Sequence, residues 1–170
     1  MKKIIQNPSN VKDFEVTEVQ IRVKGLIINS KNEILLGYSY NTYQFPGGHV
    51  ENEDFNIALK REILEETGIL LKKDYFPFAS FTAYYKDYPS IGKNRKNEIY
   101  YYEIKIDDEH NLDNTSYTKE EVIGNFELRR IPLDNIEEVL IKNKEEYHDK
   151  KGITNEMLQV IKLYKENNCK

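Results

Sequence analysis

Three glutamates at helical spacing carry the strongest chemical signal in this sequence. Glu65 and Glu66 follow Glu62 by three and four residues. On a helical wheel of ~100° per residue, with Glu62 at zero, Glu66 falls at about 40° and Glu65 at about −60°. All three carboxylates therefore share one side of a helix, where they repel one another, and burial strengthens that repulsion. A divalent cation that takes oxygen ligands, Mg²⁺ or as a substitute Mn²⁺, would compensate their charge.

A solvated helix face is the competing interpretation of the Arg-Glu-x-x-Glu-Glu pattern, because such charge runs usually face water. Arg61 stands one turn before Glu65 and can pair with it, but one guanidinium cannot neutralise three carboxylates. The surrounding residues favour a binding site. They are a preceding glycine pair, an apolar stripe on the same side of the helix and a terminating glycine: Gly47 and Gly48, then Phe55, Ala58 and Leu59, then Gly68.

A loop followed by a helix must position these side chains. The glycine pair after Pro46 suits a tight turn and a close approach of the backbone. Glu53 and Asp54 place negative charge at the start of a helix, and Gly68 stands where a C-cap is expected. These signals predict a helix of about three to four turns over residues 54–67.

The stretch from residue 47 to residue 69 resembles the signature of the Nudix hydrolases, G-x5-E-x7-R-E-U-x-E-E-x-G-U, where U is a bulky apolar residue. The matching positions are Gly47, Glu53, Arg61, Glu62, Ile63, Glu65, Glu66, Gly68 and Ile69. Counting from Gly48 instead gives a loop one residue shorter than the signature. The resemblance covers about residues 16–140 and implies an α/β/α sandwich with a mixed β-sheet.

The resemblance also implies an activity: hydrolysis of a phosphoanhydride bond in a nucleoside diphosphate linked to another moiety, with Mg²⁺ as cofactor. That reaction needs neutralised phosphate charge, a lowered pKa for the attacking water, and a base. By resemblance, Glu62, Glu65 and Glu66 hold the metal, together with a backbone carbonyl of Gly47 or Gly48. We assign Glu62 first to the metal and second to the base.

Further residues are expected around this centre. Arg61 would orient the glutamates, and Glu53 would anchor the loop or contact the metal through water. Another acidic ligand often comes from the region before the last strand in this family. Glu127 is the first candidate for it and Glu120 and Glu121 follow, although solvated loop carboxylates explain these residues equally well.

The substrate-binding residues are the least defined part of the prediction. Tyr84 and the nearby tyrosines can stack on a base, yet aromatic residues that alternate along strands more often belong to a core. Arg95, in a basic loop predicted over residues 86–97, can reach a phosphate tail or can simply be solvated. His49 can contact phosphate, although an exposed turn histidine is the simpler interpretation. The predicted substrate-binding set is Glu53, Tyr84, Arg95 and Glu127.

Hydrophobic periodicity predicts the remaining elements. We expect a lead-in over residues 1–16 with helical character near residues 10–14, an acidic loop over 107–121 and a charged connector over 143–152. The order of strands and helices fits a mixed sheet with helices on both faces. Strands are predicted over residues 16–28, 33–38, 76–85, 98–106 and 126–132, and further helices over 133–142 and 155–167.

Length and composition indicate one domain over residues 1–170, with a core over about 16–140 and a closing helix over about 155–167. Mean hydropathy is −0.72, and no apolar run approaches the ~20 residues of a membrane span. The N-terminus lacks the apolar core of a secretory signal, so we expect a cytoplasmic protein without membrane contact. A net charge of −4 argues against a stable nucleic-acid partner. A monomer or a homodimer is expected.

Two other functions are compatible with the motif. A Nudix-like sensor domain binds a nucleotide derivative without cleaving it, but such modules often lose helix glutamates and usually carry a DNA-binding segment. All three glutamates are present here, and we expect no room for such a segment in 170 residues. An isomerase acting on an isoprenoid diphosphate needs a cysteine near the site, whereas the single cysteine, Cys169, is near the C-terminus. We therefore expect the hydrolase.

Overall fold

The computed structural model describes residues 1–148 and 152–168. Seven strands form one sheet, and four α-helices accompany it within those residues. The strands are β1 (Lys2–Gln6), β2 (Glu18–Ile28), β3 (Glu33–Ser39), β4 (Thr42–Gln44), β5 (Pro77–Tyr85), β6 (Arg95–Lys105) and β7 (Glu127–Pro132). The helices are α1 (Phe55–Thr67), α2 (Lys119–Ile123), α3 (Ile136–Tyr147) and α4 (Ile153–Asn168). None of these helices is long and apolar enough to cross a membrane.

The sheet is mixed and has the strand order β1-β5-β6-β2-β3-β4, with β7 along the other edge of β3. Pairing is parallel between β1 and β5 and between β2 and β6, and antiparallel elsewhere. Helices cover both faces because alternate residues of the central strands are apolar on both sides. This arrangement confirms the predicted α/β/α sandwich with a mixed sheet.

Two hydrophobic clusters fill the space between the sheet and its helices. Under α1, Val23 and Ile27 of β2 pack with Leu59 and Ile63. On the opposite face the cluster joins sheet residues to α3 and α4, and its most buried members include Leu26, Phe45, Tyr101, Leu140, Met157 and Val160. Strand β2, like β3 and β6, contributes side chains to both clusters and so reaches both layers.

Four predicted elements needed correction. The N-terminal lead-in contains strand β1, which pairs with β5, and only a 3-10 turn at Asp13–Glu15. Strand β6 starts at Arg95, so this residue is not in the basic loop where it was predicted. Helix α2 interrupts the predicted acidic loop, and α3 continues to Tyr147 through part of the predicted connector. In each case pairing or packing with a distant segment sets the boundary, which local periodicity does not report.

Candidate active site

The glycine segment of residues 46–50 lies along the edge of β2. Strand β3 pairs with β2 only near Ile28, which leaves the first part of β2 without a strand on that side. The N–H of Gly25 donates to the carbonyl of Pro46 at 2.8 Å, and the N–H of Val23 donates to that of Gly48 at 3.0 Å. Gly47 has a φ of 131°, and a Cβ there would lie 2.2 Å from the carbonyl oxygen of Val23. Glycine is required at this position because the backbone approaches β2 so closely.

Helix α1 forms as predicted. Asp54 is its N-cap, and the side chain accepts a hydrogen bond from the N–H of Asn56 at 2.8 Å. Gly68 ends the helix in the left-handed region with a φ of 71°. The helix is held on the sheet by an apolar side formed by Ala58, Leu59 and Ile63. The glutamates lie next to this side and are turned toward the glycine segment.

The structure brings two of the predicted glutamates directly onto the glycine pair. Glu66 is only 6% exposed and accepts a hydrogen bond from the N–H of Gly47 at 3.0 Å. The Glu62 carboxylate lies against Gly48, where an added Cβ would be 2.2 Å from Oε2. Glu65 is the most solvent-accessible of the three, with a side chain 40% exposed. The three carboxylates thus line one side of the helix and do not diverge into solvent.

Arg61 joins the helix glutamates to the preceding loop. One guanidinium nitrogen, NH1, donates to Glu62 at 2.8 Å and to Glu65 at 3.2 Å. Nε donates to Glu53 at 3.0 Å, and NH2 donates to the backbone carbonyl of His49 at 3.1 Å. The hydrogen bond with Glu53 is the main reason that the pKa of Arg61 is raised. Glu53 therefore fixes the orientation of Arg61 and connects the loop to α1.

Burial makes the carboxylates of this site costly to ionise. Burial raises the pKa of Glu66 well above its ordinary 4.5, and the hydrogen bond from Gly47 opposes this shift only in part. Burial also raises the pKa of Glu62, with Arg61 opposing and Glu65 and Glu121 adding to the effect. The site thus holds more negative charge than its arginine compensates.

Glu121, not Glu127, is the further acidic residue that the structure places near the centre. The negative charge of Glu121 raises the pKa of both Glu62 and Glu66. Glu127, the first candidate from the sequence, has a side chain 53% exposed at the start of β7 and pairs with Arg129. Glu121 lies on the short helix α2, and the segment before α2 is hydrogen-bonded to α1 through Ser116 and Glu65.

The loop before α2 is attached to the C-terminal end of α1. The N–H of Asn111 donates to the carbonyl of Thr67 at 2.9 Å, and the N–H of Ser116 donates to that of Glu65 at 2.8 Å. These bonds satisfy carbonyl groups that a helix end leaves without partners. They also determine where the following helix α2, and with it Glu121, begins.

Two predicted substrate-binding residues lie outside this cluster. The hydroxyl of Tyr84 donates to Asp13 at 2.8 Å, and no contact of Tyr84 with the three glutamates is seen in the described part of the chain. Arg95 donates to Glu18 at 3.0 Å and lies over the ring of Tyr88, 4.7 Å from its centroid. The charge of Arg95 still helps to lower the pKa of His49, after burial and Arg22. Among the described residues, neither of the two contacts the three glutamates.

A buried ion pair beside the site was missed by the sequence analysis. Lys24 of β2 lies 3.0 Å from Glu156 of α4, and their side chains are 7% and 12% exposed. Tyr101 also donates to Glu156 through its hydroxyl group. The charge of Lys24 acts on Glu66, whose pKa it lowers slightly against the larger effect of burial. The sequence contained one signal for this pair, because Lys24 is a charged residue within the apolar end of a predicted strand. Nothing in the sequence pointed to Glu156.

Comparison with known proteins places this architecture in a family. The family model described as NUDIX domain matches residues 19–154. The chain therefore belongs to the Nudix family. No curated protein matches the chain in sequence.

Solved structures support the same fold. The mutator MutT protein from Bacillus halodurans has a TM-score of 0.53 and 21% identity, over 70% of this chain and 72% of that chain. An Ap4A hydrolase from C. elegans, determined as a binary complex, has a TM-score of 0.54 and 17% identity, over 88% of this chain and 98% of that one. MutT from a study of Aliivibrio salmonicida and Vibrio cholerae has a TM-score of 0.50 and 18% identity, over 84% and 94%. At these identities the likeness concerns the fold.

Proposed function

We propose that this protein is a Mg²⁺-dependent hydrolase that cleaves a phosphoanhydride bond in a nucleoside diphosphate linked to another moiety. The observation that carries the proposal is that two carboxylates, the buried Glu66 and the half-buried Glu62, lie against a glycine pair that runs along the edge of β2. A nucleotide derivative as substrate is consistent with the family and with the Ap4A hydrolase among the similar structures. Metal dependence and the substrate class belong to the proposal.

The residues of the site fit a hard divalent cation. Its donors are carboxylate and carbonyl oxygens, which Mg²⁺ prefers and Mn²⁺ accepts. Glu62, Glu65 and Glu66 would hold the ion. Its positive charge would compensate the crowded carboxylates, of which Glu62 and Glu66 have a raised pKa. The carbonyl of Gly47 is a better fourth donor than that of Gly48, because Gly48 already accepts a hydrogen bond from β2. When bound, the ion would neutralise phosphate oxygens and lower the pKa of a water molecule.

Arg61 sets the present orientation of the carboxylates. Within residues 1–148 and 152–168, no three acidic, histidine or cysteine side chains converge as a ready metal site. The reason is that Glu62 and Glu65 share one nitrogen of Arg61, while Glu66 is bonded to Gly47. A cation held by Glu62 and Glu65 would therefore compete with Arg61 for their carboxylate oxygens.

Two carboxylates are suited to take the proton of an attacking water. Glu62 has a raised pKa through burial, which makes its carboxylate a stronger base than an exposed glutamate. Glu121 lies close enough to influence both Glu62 and Glu66 and sits on the short helix α2, which is more exposed. We keep Glu62 as a metal ligand first, and Glu121 becomes the preferred base.

The decisive experiment is a panel of nucleoside diphosphate derivatives assayed with Mg²⁺ or Mn²⁺. Glu62→Gln should lower kcat/KM by on the order of a hundredfold or more while the protein stays folded. Glu138→Gln, which removes an exposed carboxylate of α3, is the matched control and should leave turnover unchanged. Undiminished turnover in Glu62→Gln would refute the assignment. Binding of a nucleotide derivative by the wild type without any cleavage would show a sensor domain instead.

A further inference from the structure

A strip of polar side chains continues from the glycine segment across the sheet face on which α4 packs. Residues two apart in a strand share a face, and Leu26, Ala83 and Ile99 belong to the core under α3 and α4. Counting from these residues in steps of two toward the start of β2 and β6 and the end of β5 gives the polar members of the same face. The count on β2 also passes through Lys24, Gln20 and Glu18, and we give the name arginine strip to four of the residues: Arg22, Tyr85, Arg95 and Asn97.

Arg22 is the uncompensated charge of this strip. Its Nε donates to Nε2 of His49 at 3.2 Å, and an imidazole nitrogen that accepts a hydrogen bond carries no proton, so this partner is uncharged. Within residues 1–148 and 152–168, no carboxylate lies within ion-pair distance of Arg22. Two carboxylates near this face are engaged elsewhere, the partly exposed Glu18 with Arg95 and the largely buried Glu156 with Lys24. The arginine strip thus has a positive charge available for an anionic ligand.

Arg95 and Asn97 have unused hydrogen-bonding capacity. Nε of Arg95 and Oδ1 of Asn97 are buried, and neither has a hydrogen-bond partner in the described part of the chain. Buried polar atoms without hydrogen-bond partners are unfavourable. A small side-chain movement that brings them to a ligand oxygen or hydroxyl would therefore form hydrogen bonds and stabilise the bound state. Tyr85 and Tyr88 flank these groups, with ring centroids 5.8 Å apart, and both are more than a third exposed. Exposed rings provide flat surfaces beside the charged groups.

The arginine strip is continuous with the candidate active site. His49, which Arg22 contacts, follows directly after the glycine pair and bridges to Arg22 across the edge of β2. Along β2, Arg22 is two residues from Lys24, roughly 7 Å at the usual rise of a strand. Gly47, whose N–H donates to Glu66, packs against the backbone of Lys24, where an added Cβ would lie 2.9 Å from the Lys24 Cα. A substrate whose anhydride lies at the glutamates can therefore place its next anionic group at Arg22.

We propose that the arginine strip binds a phosphate group of the substrate that lies outside the anhydride being cleaved, with Arg22 as the main contact. This inference rests on the proposed function and specifies its substrate class. The additional phosphate has two chemical sources: a longer polyphosphate chain, or a phosphate monoester on the remote moiety. Arginine suits either source because its planar guanidinium makes paired hydrogen bonds to phosphate oxygens.

Two matched substrate series separate these sources. The first is diadenosine polyphosphates with two to five phosphates, and the second is NADH against NADPH, which differ by one phosphate monoester. In one series, the wild type should prefer the members with the additional phosphate by about tenfold or more in kcat/KM. Arg22→Gln should remove this preference mainly through KM, since the contact binds substrate without taking part in bond cleavage.

Lys105→Gln is the matched control. It makes the same change in charge on an exposed residue of β6, at the other end of the sheet from Arg22, and should keep the wild-type preference. A preference that survives in Arg22→Gln would overturn the proposal. So would an equal loss of kcat/KM for all members of both series, because it would indicate a general structural effect.

A direct binding measurement keeps this inference separate from the proposed function. Calorimetry with inorganic tripolyphosphate in EDTA reports on the arginine strip without metal or turnover. Binding should be weakened about tenfold or more by Arg22→Gln and left unchanged by Lys105→Gln. If the wild type hydrolyses none of the compounds, the proposed function fails, and the strip is then supported or overturned by this binding result alone.

Discussion

At the scale of single residues, the site is built from carboxylates whose charge is only partly compensated. Glu66 is almost completely buried and accepts a hydrogen bond from a neutral backbone N–H, that of Gly47. Burial consequently raises its pKa well above 4.5. Such a group lowers the stability of the metal-free protein when it ionises, which is typical of residues kept for function.

Removing the charge of Glu66 should therefore stabilise the metal-free protein and abolish its activity. The unfolded chain loses this proton near pH 4.5, whereas the folded protein retains it to higher pH. Wild-type stability consequently falls relative to Glu66→Gln as the pH rises above 4.5, and below that pH the difference disappears. Urea unfolding in EDTA across this pH range measures the effect. A difference that is constant with pH would contradict the prediction, and Glu138→Gln should show none.

At the scale of elements, the end of α1 and the loop before α2 form one unit. Gly68 ends the helix with a positive φ, and a Cβ at this position would lie 1.9 Å from the carbonyl oxygen of Asn111. The loop is bonded to the carbonyls of Glu65 and Thr67. The glycine thus permits a close contact that brings the following helix, with Glu121, toward the other carboxylates.

Gly68→Ala should lower the free energy of unfolding by roughly 2 kcal/mol and reduce kcat, because both the left-handed conformation and the close contact are lost. Gly152→Ala is a control with the same φ of 71°, and among the described residues no atom lies within 4 Å of the added Cβ. It should show only the smaller, conformational part of the destabilisation and keep wild-type kcat. Equal effects of the two variants on stability and on kcat would mean that the contact with Asn111 is unimportant.

At the scale of the whole molecule, a buried ion pair joins the C-terminal helix to the sheet beside the site. Lys24 and Glu156 belong to elements far apart in the sequence, and Tyr101 adds a hydrogen bond to the same carboxylate. Because both charges are nearly inaccessible to water, each depends on the other for compensation.

Glu156→Gln should destabilise the protein by about 3 kcal/mol, because the Lys24 ammonium is left buried without a counter-charge. Replacing both partners with apolar residues, as Lys24→Met with Glu156→Leu, should recover most of that loss. Denaturant unfolding monitors both variants. Lys165→Gln breaks a more exposed pair with Glu137 and should cost less than about 1 kcal/mol. A double variant no more stable than Glu156→Gln would disprove the role of the pair.

The sequence by itself determined the elements whose signals are local. Helix α1, its start near Asp54, its C-cap at Gly68 and the common side of its three glutamates all follow from spacing within some fifteen residues. Helical geometry converts that spacing directly into position. The need for glycine before the helix was evident for the same reason. The fold class followed because the order of strands and helices leaves few ways to bury both faces of a sheet.

Only the tertiary structure decided which distant residues join the site. Glu121 rather than Glu127 lies near the carboxylates because the loop before α2 bonds to the end of α1. Arg22 reaches the glycine segment because β3 leaves β2 early and residues 46–50 take its place. The pairing of Lys24 with α4 is equally non-local. Such contacts depend on strand register and helix docking, which sequence periodicity does not specify.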